Sequence, residues 1–432
     1  MTSISTDSNQ TRSEKTQSDQ TQSHQTILLT GGRAPVTLDL ARQFAAVGHR
    51  VLVADSLPHQ LCTCSAAVDK NFVVPSPRQQ TAAYITALKE IIEAEQVNWL
   101  IPTCEEVFYI SAGLEQLAPL CRVFAEPLAK LEPLHNKWTF IQRVQTLGLS
   151  APKTWLIQTE ADLKAALAEP EQLVLKPVYS RFASQVQIVA KPGIELGIEP
   201  IKQPEQQPVE IDLRPDKPWV AQAFVTGDHY CAYGVAHAGQ LTAFAAYPTV
   251  FTAGAGSCIY FESIEHPGLL DWMKTFVAAE AFTGQIAFDF IESDDVLYPL
   301  ECNPRAISAI HLFSKRDRLD HAFLEPDEQS LPIQPQQAST AMISLAMWLY
   351  GLPSAIATHR LGLWLQAIFT AKDVIFQWRD PLPALHMGMV LLQFIRLSVQ
   401  RRQSLQRVST QDIEWDGAPI EVSVPRLPKI DR

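Results

Sequence analysis

The sequence contains no C-x-x-C pair, no uninterrupted apolar run of the roughly 18 to 20 residues that spanning a bilayer requires, and no apolar stretch at its N-terminus. Its seven cysteines include a single C-x-C, Cys62 and Cys64. That pattern supports neither a zinc knuckle nor a disulfide framework, and a reducing cytoplasm is the expected compartment. Charge is also scarce, at 19% of residues, and 35 Lys plus Arg against 46 Asp plus Glu leave a net charge of −11. This balance argues against wrapping nucleic acid or an anionic membrane, and a small-molecule role becomes the default.

What is present is apolar material: 47% of 432 residues, enough for two to four domains. Residues 1–26 are dominated by Ser, Thr and Gln with Ile4 as the sole branched aliphatic, too little apolar surface to offset ordering entropy, and they read as a disordered tail. From Ile27 short apolar runs alternate with helical periodicity: 27–30, a helix over about 36–47 stopped by Gly48, 51–54, 72–74, a helix over about 81–95, and 97–101. This β-α-β texture predicts a parallel sheet flanked by helices over 27–125. A helix near 136–147 precedes strands at 173–176 and 186–189, a Pro-rich loop over 192–218, and strands at 219–225, 230–235 and 241–246, the last two joined at Ala238-Gly239. The segment 126–330 is therefore expected to be α+β with antiparallel strands.

The chemistry concentrates in 285–305, Q-I-A-F-D-F-I-E-S-D-D-V-L-Y-P-L-E-C-N-P-R. Ile286, Phe288 and Phe290 alternate with Ala287, Asp289 and Ile291, so one strand face is apolar and Asp289 points the other way. After the turn Ser293-Asp294-Asp295, the returning strand carries Glu301 and Asn303 two residues apart, on one face and near Asp289. Two crowded carboxylates and a carboxamide call for a cation, and an all-oxygen set suits Mg²⁺ better than zinc. Magnesium leaves positions for phosphate oxygens, and Arg305 supplies a planar fork, so a nucleotide triphosphate is the expected ligand. An edge hairpin of solvated acids is the competing reading. Pro299 places the second strand at an edge or beside an irregularity, because proline has no N–H to donate.

Upstream, Lys176 ends the run 173–175 ahead of Pro177, and Lys137 opens the helix after Asn136; both are candidate phosphate contacts. Gln222, in a strand running toward Gly227, offers an amide to an adenine edge. Gly31-Gly32 with Asp55 imitates a dinucleotide turn, but T-G-G-R-A-P-V lacks the third glycine of G-x-G-x-x-G.

Taken in order, N-K-W-T-F at 136–140, L-V-L-K-P at 173–177, V-A-Q-A-F-V-T-G at 220–227 and L-E-C-N-P-R at 300–305 resemble the ATP-grasp superfamily over about 27–320. The resemblance implies ATP held between two α+β subdomains behind a parallel-sheet domain. It also implies Mg²⁺ or Mn²⁺ on Asp289, Glu301 and Asn303, phosphates on Lys137, Lys176 and Arg305, and adenine on Gln222 with the Phe224 and Val225 backbone. Lys176 and Arg305 would also act in catalysis. Asp228 and His229 stand where the family often has a ribose-binding glutamate, and the loop after Lys176 offers Ser180, Arg181 and Ser184 in place of glycines. The implied reaction is phosphorylation of an acceptor oxygen followed by amine attack, with no protein nucleophile, so Cys302 is expected to be packed. S-A-I-H-L-F at 308–313 and D-P-L-P at 380–383 further resemble the ligases that make mycosporine-glycine from 4-deoxygadusol and glycine.

Positions 252–257, Ser308 and His311 are placed near the acceptor, and Glu105 and Glu106 either approach it or cap a helix. Residues 331–432 are expected to form a mainly helical extension; packing on the body, a dimer contact and shallow membrane adhesion are its possible roles, in that order. A nucleotide-binding regulatory module without turnover and a Rossmann-type NAD(P) oxidoreductase are the competing functional readings.

Overall fold

Ile27, Leu28 and Leu29 are apolar on both faces, and the strand that holds them, β1 (Thr26–Thr30), is enclosed on both sides. The computed structural model describes residues 24–168, 172–180, 185–190, 211, 213–214, 216–254, 256–326 and 331–422. Around β1 lie β2 (Arg50–Asp55), β3 (Lys70–Val73), β4 (Trp99–Ile101) and β5 (Arg122–Val123), all parallel, in the order β3-β2-β1-β4-β5. Leu28, Leu52 and Leu100 face one core while Ile27, Val51, Val53 and Ile101 face the other, as the alternation of a doubly covered sheet demands. The expected tail ends earlier than its bound of 26, because Thr26 pairs with Arg50 and opens β1. Residues 1–23 lie outside the described residues, as does most of the Pro-rich loop.

Two antiparallel sheets follow. β6 (Thr154–Ile157), β7 (Gln172–Pro177), β8 (Gln187–Ala190) and β9 (Trp219–Ala223) run β6-β9-β7-β8 around their own small core of Ile157, Leu173, Leu175, Trp219 and Ala221. β9 ends at Ala223, two residues before its expected limit. β10 (Asp228–His237) and β11 (Gln240–Pro248) turn at Ala238 and Gly239, whose φ values of +46° and +88° suit a two-residue hairpin loop. After the hairpin β12 (Thr252–Ala253) and β13 (Ser257–Cys258), and β14 (Tyr260–Glu262), come β15 (Gly284–Ser293) and β16 (Val296–Asn303). The larger sheet has the order β11-β10-β15-β16. Both cores of the parallel domain run on into it, through Phe288 on one side and Tyr233 and Ala243 on the other.

The extension packs on this body. It is not purely helical: β17 (Thr340–Met342) adds to β14, and β18 (Lys372–Asp373) adds to β17. An 18-residue window of the helix Leu382–Arg401 has a mean hydropathy of 1.5, which by length and composition could cross a membrane, although its uninterrupted apolar run is short. Trp415 stacks among Phe108, Tyr179 and His135.

Near the chain's end Asp412 meets the first turn after β1. Arg33 Nη1 donates to Asp412 Oδ1 at 2.7 Å, and the same guanidinium and the Arg33 backbone N–H bind Asp55. A dinucleotide ribose would need Asp55 for itself, and a side chain at Gly32 would strike Gln60 and Val53, so this turn is filled by protein. Removing one member of a buried charge cluster leaves the others uncompensated. Asp412→Ala is therefore expected to lower unfolding stability by about 3 kcal/mol, measured by denaturant titration; a midpoint equal to wild type would contradict the linkage.

Candidate active site

The hairpin of β15 and β16 closes through Asp294 and Asp295, both at positive φ (+49° and +61°), a conformation that aspartate tolerates better than most residues. Ser293 pairs with Val296, and the ladder stays regular to Phe290 opposite Pro299. There the register shifts: Leu300 is extra, and Glu301 rather than Leu300 pairs with Asp289. The bulge sets Glu301 against Asp289 and Asn303 against Ala287 on the face opposite the aromatic packing. Phe288 and Phe290 pack on Trp272, and Phe288 also on Phe140 and Phe276. β16 is the sheet's edge, so Pro299 costs no ladder bond on its open side. Cys302 is buried opposite Phe288, as expected.

Two lysines converge on the acidic pair from other elements. Asn136 caps the helix Lys137–Thr146, its side-chain oxygen accepting from the Trp138 and Thr139 N–H groups, and this fixes Lys137 in the first turn. The buried Lys137 ammonium lies 3.1 Å from Glu301 Oε2 and donates to the Ser180 carbonyl at 3.0 Å. Lys176, on β7, crosses to the other sheet: Nζ donates to Gln222 Oε1 at 3.0 Å and to the Leu300 carbonyl at 3.2 Å. That carbonyl belongs to the bulge residue. Gln222 is itself buried and donates to Thr154 Oγ1 at 3.1 Å, so its amide is held by Lys176 and Thr154.

Electrostatics follow from this crowding. Burial, and then the neighbouring Glu301 charge, push the Asp289 carboxyl up to about 7. Burial also works against Glu301, but the Lys137 and Lys176 ammoniums outweigh it and hold that carboxyl well below the usual carboxylate range. Burial, then the Lys137 charge, push Lys176 down to about 8.

Asn303 Nδ2 reaches Glu301 at 3.4 Å, and Arg305 Nη2 donates to Asn303 Oδ1 at 3.3 Å. Arg305 also lies 3.6 Å from Glu105, so the parallel domain does reach this end of the site. Glu106 instead accepts from the Thr103 and Cys104 N–H groups and the Thr30 hydroxyl. Glu106 stands at the N-cap position of the helix Val107–Ala112, but its side chain binds this preceding turn and no N–H of the helix.

The adenine and ribose candidates lie along the connection from β9 to β10. Phe224 and Val225 are half-buried, with the Phe224 N–H donating to the Gln172 carbonyl. Asp228 and His229 are exposed at the start of β10. Gly227 passes so close to the Glu292 carbonyl that a side chain there would collide with it. Arg181 and Ser184 lie outside the described residues, and Ser180 contributes its carbonyl. His311, placed by sequence near the acceptor, is fully buried with Nδ1 2.6 Å from Asp39. The Leu300 carbonyl and the Thr154 hydroxyl were not foreseen; Pro299 hinted at the first, and nothing in the sequence marks the second.

Among the described residues no three His, Cys, Asp or Glu side chains form a metal-binding group; the set is two carboxylates and a carboxamide. Its chemistry fits a hard divalent ion, because Asp289 and Glu301 pair across the hairpin and burial with the Glu301 charge disfavours a second negative charge on Asp289.

No family model matches the chain, and no curated protein matches it. Solved structures do. It is similar to an ADP complex of N5-carboxyaminoimidazole ribonucleotide synthetase (15% identity over 73% of this chain and 80% of that one, TM-score 0.55). It is equally similar to an L-amino acid ligase from Bacillus licheniformis (15% identity, 74% and 80% covered, TM-score 0.55). Biotin carboxylase from Campylobacter jejuni matches at 14% identity over 71% and 72%, TM-score 0.53. Together with the sheet arrangement these likenesses define the ATP-grasp fold, with a parallel-sheet domain ahead of it and a helical C-terminal region.

The depressed Lys176 sets a pH signature. The folded chain sheds this proton at about 8, whereas an unfolded lysine keeps it to about 10.5, so stability rises with pH across that window. Relative to Lys176→Met, wild type is expected to gain about 3 kcal/mol between pH 8 and 10.5, read from urea midpoints. Parallel curves for the two proteins would place the ammonium in water instead.

Proposed function

We propose that the chain is an ATP-dependent carbon–nitrogen ligase that phosphorylates an acceptor oxygen and joins the acceptor to an amine such as an amino acid, releasing ADP and phosphate. The observation that carries this reading is the pairing of Asp289 with Glu301 beneath two buried lysines, at the seam of the two antiparallel sheets. Asp289, Glu301 and Asn303 would hold Mg²⁺ or Mn²⁺, which when bound supplies positive charge to phosphate oxygens. Lys137 and Lys176 would exchange their present carbonyl and carboxylate partners for phosphate oxygens. Arg305, tethered by Asn303 and facing Glu105, would orient the terminal phosphoryl group toward the parallel domain.

Phe224 and Val225 would line the adenine site, with Gln222 fixing Lys176 behind it, and Asp228 or His229 would meet the ribose. The similar structures are a synthetase, an L-amino acid ligase and a carboxylase, in accord with an acyl-phosphate type of chemistry. The likeness to mycosporine-glycine ligases would make the acceptor an enol oxygen; a carboxylate is the alternative, and the two are told apart by the acceptor supplied. A phosphorylated acceptor must be shielded from water, and the seam between the two sheets is the place for that.

The test is phosphate release from Mg-ATP with panels of carboxylate and enol acceptors and amino acids. Wild type is expected to release phosphate only when an acceptor is present, and Glu301→Ala to lose at least about 100-fold, on the scale of a lost catalytic electrostatic contact, while keeping its circular dichroism. Wild-type turnover in that variant would refute the site, and tight ATP binding without turnover on any acceptor would favour a regulatory module. In calorimetry Lys137→Met is expected to weaken ATP binding by about ten-fold or more, or about 1.4 kcal/mol; an unchanged Kd would remove Lys137 from the phosphate site.

A further inference from the structure

The whole-chain charge of −11 conceals an uneven distribution. Of the exposed large apolar side chains among the described residues, all but Val73 and Leu331 lie between Leu345 and Leu405. Trp378 is 90% exposed and Phe369 83%, and Trp348, Tyr350, Leu385 and Val399 are more than half exposed. A soluble surface rarely gathers so much apolar area in one segment.

The charges of the same segment are sorted by depth. Its only acids are Asp373 and Asp380. Asp380 is buried in an ion pair with Arg42 at 2.8 Å, and Asp373 accepts from the backbone N–H groups of Ser344 and Ile375. The cations point outward: Arg360, Arg379, Arg396, Arg401, Arg402 and Arg407 are all exposed. Six exposed arginines against the half-buried Asp373 leave the charge this segment shows to its surroundings predominantly positive.

The helix Leu382–Arg401 displays both properties. It turns Pro383 and Val390 inward and is tied down at Gln393, which exchanges two 3.1 Å hydrogen bonds with the His59 backbone. Leu385, Met389, Leu392, Arg396 and Val399 follow one another at three- and four-residue spacing on its exposed side. An apolar stripe with an arginine in it, ending in Arg401 and Arg402, is the pattern of a helix lying in a lipid interface.

We propose that residues 345–407 form a peripheral docking surface for an anionic lipid bilayer, with Trp348, Tyr350 and Trp378 at headgroup depth and the arginines on lipid phosphates. A second copy of the chain is a poor occupant, because a two-fold contact would set arginines of the two copies against one another with only the half-buried Asp373 in the segment to pair them. A spanning role conflicts with the helix's attachment to the body through Gln393 and Asp380. The surface is independent of the ligase reading, and either can fail alone. The sequence's overall acidity argues against an anionic membrane; the proposal differs because most of the acids lie outside this segment.

The experiment is co-sedimentation of the full-length chain with sonicated vesicles of phosphatidylcholine alone or with phosphatidylglycerol, with sedimentation velocity run in parallel. Binding is expected only with phosphatidylglycerol, at least ten-fold weaker at 0.5 M than at 0.05 M salt, and at least ten-fold weaker for Arg396→Glu/Arg401→Glu and for Leu385→Glu. The arginine variant alters only exposed side chains, so its circular dichroism should match wild type and keeps the test interpretable if Leu385→Glu misfolds. Absence of binding, equal binding to neutral vesicles, retention on vesicles in high salt, or a dimer that Leu385→Glu dissociates would each overturn the proposal.

Discussion

Two carboxyls placed side by side by the β15–β16 register, in surroundings that resist charge, govern the rest of the site. Asp289 and Glu301 cannot both be ionised there without compensation, and the fold supplies part of it as Lys137 and Lys176. The two lysines come from different elements, one from a capped helix and one from the smaller sheet, so the acidic pair also joins two lobes whose apolar cores are separate. The compensation is incomplete, since Asp289 keeps a carboxyl pushed up to about 7. That residual imbalance is what a divalent ion would relieve.

The hairpin was legible in the sequence because its signals are local. Period-two alternation from Ile286 to Phe290 and a two-aspartate turn bring Asp289, Glu301 and Asn303 to one face. The bulge was only half legible: Pro299 announced an irregularity, but not that Leu300 would be the extra residue or that its freed carbonyl would receive Lys176. Apolar strands and helix stops located the parallel sheet to within a residue or two, again from short-range patterns.

What the sequence hid was long-range. Arg33 and Asp412 are 379 positions apart, and no periodicity connects them. Trp415 fills a place beside Phe108 and Tyr179 that local composition would assign to any apolar residue. Net charge proved a poor guide to the surface for the same reason: pairing such as Arg42 with Asp380 decides which charges face outward, and pairing is set by tertiary contacts.

The central claim is that Asp289, Glu301 and Asn303 converge to bind a divalent ion beside a nucleotide. Electron paramagnetic resonance of Mn²⁺ titrated into the chain with ADP reads this directly, without any acceptor. The account predicts that wild-type protein with ADP removes more of the free Mn²⁺ signal than ADP alone, and that Asp289→Asn/Glu301→Gln removes no more than ADP alone. A wild-type signal equal to that of ADP alone, or one that the double variant depletes equally, would contradict it.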